Sequence, residues 1–154
     1  MYLFHFYLFK DIILGIVKST ITLNAIAFSQ NGGVGVYEPL INQFNEYSKE
    51  NYLDINIHLN LFSELNATTE VTDYEEMLDA LFLKKNTKYD IIFFDNIYTT
   101  RFGPHLLNLN GSISDEILNL YKPGIASQSC IYGEDKWVGL VNISIYPIYF
   151  IMIF

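Results

Sequence analysis

The sequence predicts an α/β fold, an open and mostly parallel βαβαβ sheet with helices on both faces. Three observations predict it. Strand-like apolar runs, "TITLNAIAF" and "YDIIFFD", alternate with segments of helical periodicity. Residues 91–94 form an unbroken apolar run, the mark of a strand covered on both faces, as in a parallel sheet. Between them, "LDINIHLNL" at 53–61 alternates strictly, with Leu53, Ile55, Ile57, Leu59 and Leu61 on one face of a half-covered strand.

The elements follow in order. Residues 20–28 carry the β-branched and apolar content of a buried strand. The turn "SQNGGVG" at 29–35 lacks the G-x-G-x-x-G spacing and a following Lys-Ser/Thr, so it reads as a strand-to-helix loop before it reads as a phosphate cradle. From Tyr37 onward, Leu40, Ile41, Phe44 and Tyr47 make one apolar helical stripe. Glu38 and Pro39 suit its first turn, and Lys49 its last.

After the strand at 53–61 comes a polar loop, 62–72. Thr72 or Asp73 is placed to cap a second helix, with Glu75 and Glu76 near the positive end of its dipole. Met77, Leu78, Leu81 and Phe82 form its stripe, and Lys84 and Lys85 close it. The strand at 89–95 completes the βαβαβ order. Beyond Asn96, Ser114 suits the cap of a short helix at 115–120. "SCIYGEDKWVGL" at 129–140 reads as a hairpin turning at Gly-Glu-Asp.

A chain of 154 residues is long enough for one domain with a real core. The net charge of −8 and the absence of a Lys/Arg cluster argue against nucleic-acid partners. Cys130 is the only cysteine, so no intrachain disulfide forms, and the spacing of His5, His58 and His105 suggests no zinc site. His58 alternates with apolar neighbours and reads as a strand-surface residue. No metal or cofactor is expected.

Both ends are apolar. Lys10, Asp11 and Lys18 interrupt the first, so no clean run of about 18 apolar residues exists there. Residues 1–20 are expected to be a signal peptide or signal anchor, with a first core strand or helix as the alternative. Three N-x-S/T sequons, at Asn66, Asn110 and Asn142, fit a secreted protein or the extracellular face of a membrane. The apolar tail at 141–154 contains Asn142, Ser144 and Pro147 and is too broken for a membrane span. It reads as a buried strand.

The acid-amide pair Asp95-Asn96 stands at the carboxyl end of a strand, where open α/β sheets hold ligands. Ser29, Gln30 and Asn31 stand at another such end. Together they offer hydroxyl, amide and carboxylate groups suited to a polyol or another polar small molecule. Two other roles for Asp95 remain open. One is a cap on the following turn. The other is the phosphoacceptor of a receiver-like signalling domain, although that chemistry needs Mg²⁺-binding acids after the first strand, and "AFSQN" has none. A small membrane protein using both apolar ends is a further class.

The segments "YEPLINQFNEYSKENYLDINIHL", "DYEEMLDALFLKKNTKYDIIFFDN" and "IYGEDKWVGL" resemble, in order and spacing, the first lobe of the family 1 extracellular solute-binding proteins, the periplasmic-binding-protein-like type II fold. The resemblance spans residues 21–140. It implies a non-catalytic receptor lobe for a sugar or similar solute, in a transport system or in the ectodomain of a eukaryotic class C (GABA-B-like) G-protein-coupled receptor. Gln30, Asn31, Asp95 and Asn96 would face the cleft between lobes, and Trp137 would lie in the hairpin leading to the hinge. The family continues past "VGL" into a second lobe. This chain does not follow that pattern, so residues 141–154 are expected to be a truncated crossover.

Overall fold

The computed structural model describes residues 19–29, 34–63, 71–121, 128–142 and 148–152. The expected leader therefore lies outside the described residues, except for its last two positions. Strand β1 (Ile21–Ser29) leads into helix α1 (Val34–Glu50), strand β2 (Ile55–Ser63), helix α2 (Val71–Leu83) and strand β3 (Ile91–Phe94). A 3-10 turn at Asn96–Tyr98, helix α3 (Thr99–Phe102), a second 3-10 turn at Gly103–His105 and helix α4 (Asp115–Tyr121) follow. The hairpin β4 (Ile131–Tyr132) and β5 (Lys136–Trp137) precedes β6 (Leu140–Asn142) and β7 (Ile148–Met152).

The main sheet has the order β2-β1-β3-β7-β6. β1 pairs in parallel with β2 from Ile21↔Ile55 to Ser29↔Ser63, and with β3 through Ala25↔Ile91 and Ile26↔Ile92. β7 runs antiparallel to both β3 and β6. Three parallel strands flanked by helices are thus continued by two antiparallel ones, so part of the apolar tail completes the sheet.

Alternation along β1 divides the core. Ala25 and Ala27 pack with Ile41 of α1 and with Ile91 and Phe93 of β3. Ile26 packs with Tyr74, Leu78 and Phe82 of α2 and with Ile92 and Phe94 of β3. The two helices therefore cover opposite faces, which is why β3 is buried throughout. A third cluster, Leu109, Leu118, Cys130 and Trp137, joins α4 to the hairpin.

The structure corrects several sequence expectations. α1 starts three residues before Tyr37, so Pro39 falls beyond its first turn. Tyr47 is not part of a covered stripe but 55% exposed, and Leu53 precedes β2 and is 45% exposed. The reason is local. The α1–β2 turn puts Tyr52 and Asp54 at positive φ, which swings Leu53 outward before the strand begins. Polar side chains of α1 take over the work of binding β2. Asn45 Nδ2 donates to the Ile57 carbonyl at 2.9 Å, and the Ile57 N–H donates to Asn45 Oδ1 at 2.7 Å. Ser48 Oγ makes a similar pair of bonds with Ile55. These bonds satisfy backbone groups of an edge strand that would otherwise invite another chain.

At the short elements the expectations match more closely. Ser114 Oγ accepts from the Ile117 N–H at 3.4 Å at the start of α4. His58 is exposed on β2. Among the described residues no helix is long and apolar enough to cross a membrane.

Candidate functional site

β2 lies on one side of β1 and β3 on the other. The chain therefore leaves β1 in one direction and returns to its opposite side, which makes the β1/β3 boundary a topological switch point. In open α/β sheets, ligands are held outside the carboxyl ends of the strands at such a point. Ser29 and Asp95 stand at this edge, one at the end of β1 and one just past the end of β3.

Asp95 is exposed and extended, with φ −73° and ψ 139°. Its Oδ1 accepts from the Ile97 N–H at 3.1 Å, so it caps the 3-10 turn that follows. Asn96 opens that turn and is half-buried. Ser29 is buried, at 3% exposure, and its Oγ has no hydrogen-bond partner among the described residues. Gln30 and Asn31 follow Ser29 directly but lie outside the described residues.

Helix residues supply the rest of the polar groups. Tyr37 of α1 sets its ring edge-on against Phe93, with centroids 5.1 Å apart. Burial, and secondarily the Asp95 carboxylate, push its phenol above the usual tyrosine range. On the other face, Tyr74 of α2 donates to the carbonyl oxygens of Phe93 at 2.9 Å and Ile26 at 3.4 Å.

Beside Tyr74 is Glu75, 3% exposed, whose Oε2 has no hydrogen-bond partner among the described residues. Burial raises its carboxyl to about 7. The Arg101 guanidinium opposes that shift, while the Asp95 and Asp79 carboxylates add to it. Arg101 is itself committed: its Nε donates to Asp79 Oδ2 at 2.7 Å, and it lies over the rings of Tyr98 and Phe102.

The Asp95 carboxylate adds to the upward shifts of both Tyr37 of α1 and Glu75 of α2. Asp95, exposed at the edge, can accept hydrogen bonds from a polar solute. Among the described residues, no group of three His, Cys, Asp or Glu is placed to hold a metal ion.

Trp137 stands apart from these groups. It is 3% exposed within the third core cluster, with Leu109, Leu118 and Cys130 around it, and its Nε1 has no partner among the described residues. Of the sequons, Asn110 is exposed at a turn, Asn142 lies within β6 and Asn66 is outside the described residues. Sequence reading assigned Glu75 only to a helix start. A signal for more was present. Glu75 lies three residues before Leu78 and seven before Phe82, on the apolar stripe of α2 where a carboxylate is out of place.

No protein-family model matches the chain, and no curated protein matches it. Solved structures do. The maltose-bound MalE3 of T. maritima aligns with a TM-score of 0.61 at 17% identity, over 79% of this chain and 28% of that one. An extracellular solute-binding protein family 1 member from Alicyclobacillus acidocaldarius aligns with a TM-score of 0.49 at 18% identity, over 81% of this chain and 28% of that one. At these identities the likeness is one of fold. The chain spans just over a quarter of the length of either structure.

Proposed function

We propose that this chain forms one wall of a non-catalytic recognition site for a small polar solute, with a carbohydrate as its natural class and an extracellular setting. The observation that carries the reading is that Ser29 and Asp95 stand at the carboxyl ends of β1 and β3 at the switch point, where the buried Ser29 Oγ has no partner among the described residues. Gln30, Asn31 and Asn96 would complete the rim. The fold it shares with a maltose-bound protein supports the same reading. The resemblance of its segments to solute-binding receptors supports a role in a transport or receptor assembly.

A single wall encloses little ligand surface. The chain should therefore bind sugar weakly, with Kd about 1 mM or higher. The test is a titration of the isotopically labelled chain with maltose and a panel of monosaccharides, followed by NMR. Saturable shifts at Ser29 and residues 95–98 are expected. Shifts confined to the α4–hairpin cluster, or none with any sugar, would overturn the proposal.

A further inference from the structure

The turn between the second 3-10 turn and α4 holds a reactive pair, Asn110 followed by Gly111, and both residues are exposed. The Ser112 N–H donates to the Leu109 carbonyl at 3.0 Å, and Gly111 takes φ 80°, as the third residue of a type II turn does. Asparagine is a chemically labile residue, most of all before a glycine, which has no side chain to shield its nitrogen. Beyond the adjoining residues, nothing lies within 4 Å of where a Gly111 Cβ would stand. The Gly111 N–H makes no hydrogen bond among the described residues.

The Asn110 side chain meanwhile holds two parts of the fold together. Its Nδ2 donates to the Asp135 carbonyl at 2.6 Å, 25 positions along the chain. That bond ties the turn to the tip of the β4–β5 hairpin. Further in, the Leu109 N–H donates to the Trp137 carbonyl at 2.8 Å.

We propose that Asn110 is a site of spontaneous deamidation, and that its conversion releases the turn from the hairpin tip. The Gly111 nitrogen gives its proton to a solvent base and attacks the side-chain carbonyl carbon of Asn110. A bond forms between that nitrogen and that carbon. The bond from the carbon to Nδ2 breaks, and the departing nitrogen takes a proton from water and leaves as ammonia. A second water opens the cyclic imide at either carbonyl, giving aspartate or its β-linked isomer.

The fold sets both the rate and the consequence. Ring closure requires the side chain to leave Asp135 and turn its carbon onto the Gly111 nitrogen, so the native bond slows the reaction. After conversion, residue 110 has no donor for the Asp135 carbonyl. A carboxylate takes the place of the amide, on the hairpin turn that carries the exposed acids Glu134 and Asp135. The lost bond and the added negative charge both loosen the contact.

The test incubates the full chain at mildly alkaline pH and follows it by peptide mass mapping, which separates the Asn110 peptide from the one holding Asn31 and Gly32. Residue 110 should convert to both acid isomers, roughly fivefold more slowly in the native chain than in urea, the factor that one net hydrogen bond represents. Asn110→Asp should reproduce the converted chain, with a lower urea midpoint than the parent and faster amide exchange at Leu109. Asn110→Ala, which loses the donor without gaining charge, should fall between the two. A native chain that keeps its Asn110 amide for many unfolded half-lives overturns the site. Equal rates in native chain and urea, or an Asn110→Asp chain with the midpoint and exchange of the parent, overturn the coupling to the hairpin.

Discussion

The Tyr74 hydroxyl of α2 donates to the backbone carbonyl of Phe93 in β3 at 2.9 Å, inside the core and 19 residues along the chain. The same oxygen lies 3.4 Å from the carbonyl of Ile26 in β1. One phenol thus ties the second crossover helix to both strands of the switch point.

Removing that hydroxyl in Tyr74→Phe keeps the ring but leaves a buried carbonyl with one donor fewer. The expected loss is about 1 kcal/mol, read from urea unfolding. The Phe28–Tyr74 ring contact at 5.6 Å should survive, so a much larger loss would mean that the ring itself had shifted.

Glu75 makes stability depend on pH in an unusual direction. Its carboxyl is raised from 4.5 to about 7 in the fold, chiefly by burial, so the native state holds a proton that the unfolded chain has released. Its contribution is complete below pH 4.5 and is lost as pH climbs toward about 7. The loss is at most roughly 3 kcal/mol. Unfolding at several pH values, for the parent chain and for Glu75→Gln, isolates it. The variant should lack this decline and be the more stable of the two at pH 8.

Asp95→Asn separates the two roles of that side chain. Asparagine caps as well as aspartate, so stability should change by less than about 0.5 kcal/mol. The charge is gone, however, and Asp95 is one of the groups that raise Glu75. The Glu75 midpoint, followed by carboxyl ¹³C shifts, should therefore fall below about 7. An unmoved midpoint would show that the two carboxyls do not sense each other.

Gly103 sits where a side chain has no room. A Cβ there would overlap the Tyr132 side chain of β4. The Gly103 carbonyl also accepts from Lys136 Nζ at 2.8 Å, holding the hairpin against the 3-10 turn. Gly103→Ala should cost roughly 1–3 kcal/mol through overpacking. Adding Tyr132→Ala should recover part of that loss in the double variant, because the overlapping ring is removed.

Much of the fold is readable from periodicity. The unbroken run at 91–94 means cover on both faces, and β3 is buried between α1 and α2. The stripe Met77, Leu78, Leu81 and Phe82 meets the sheet as its spacing requires. Position along the strand also puts Asp95 at a carboxyl end. Tyr47 and Leu53 mislead because periodicity reports which residues share a face, not where an element stops. Two positive-φ residues in the turn decide that.

What the sequence determined alone was the order of strands and helices, because apolar spacing is local and each element is specified within its own stretch of chain. The tertiary structure decided which carboxylates matter. Glu75 is an ordinary helix-start acid until α2 crosses the sheet and buries it within the field of Arg101, Asp95 and Asp79. Its proton affinity comes from lost water and from neighbours up to 26 positions away. Burial and charge act through space, and no local pattern of residues records them.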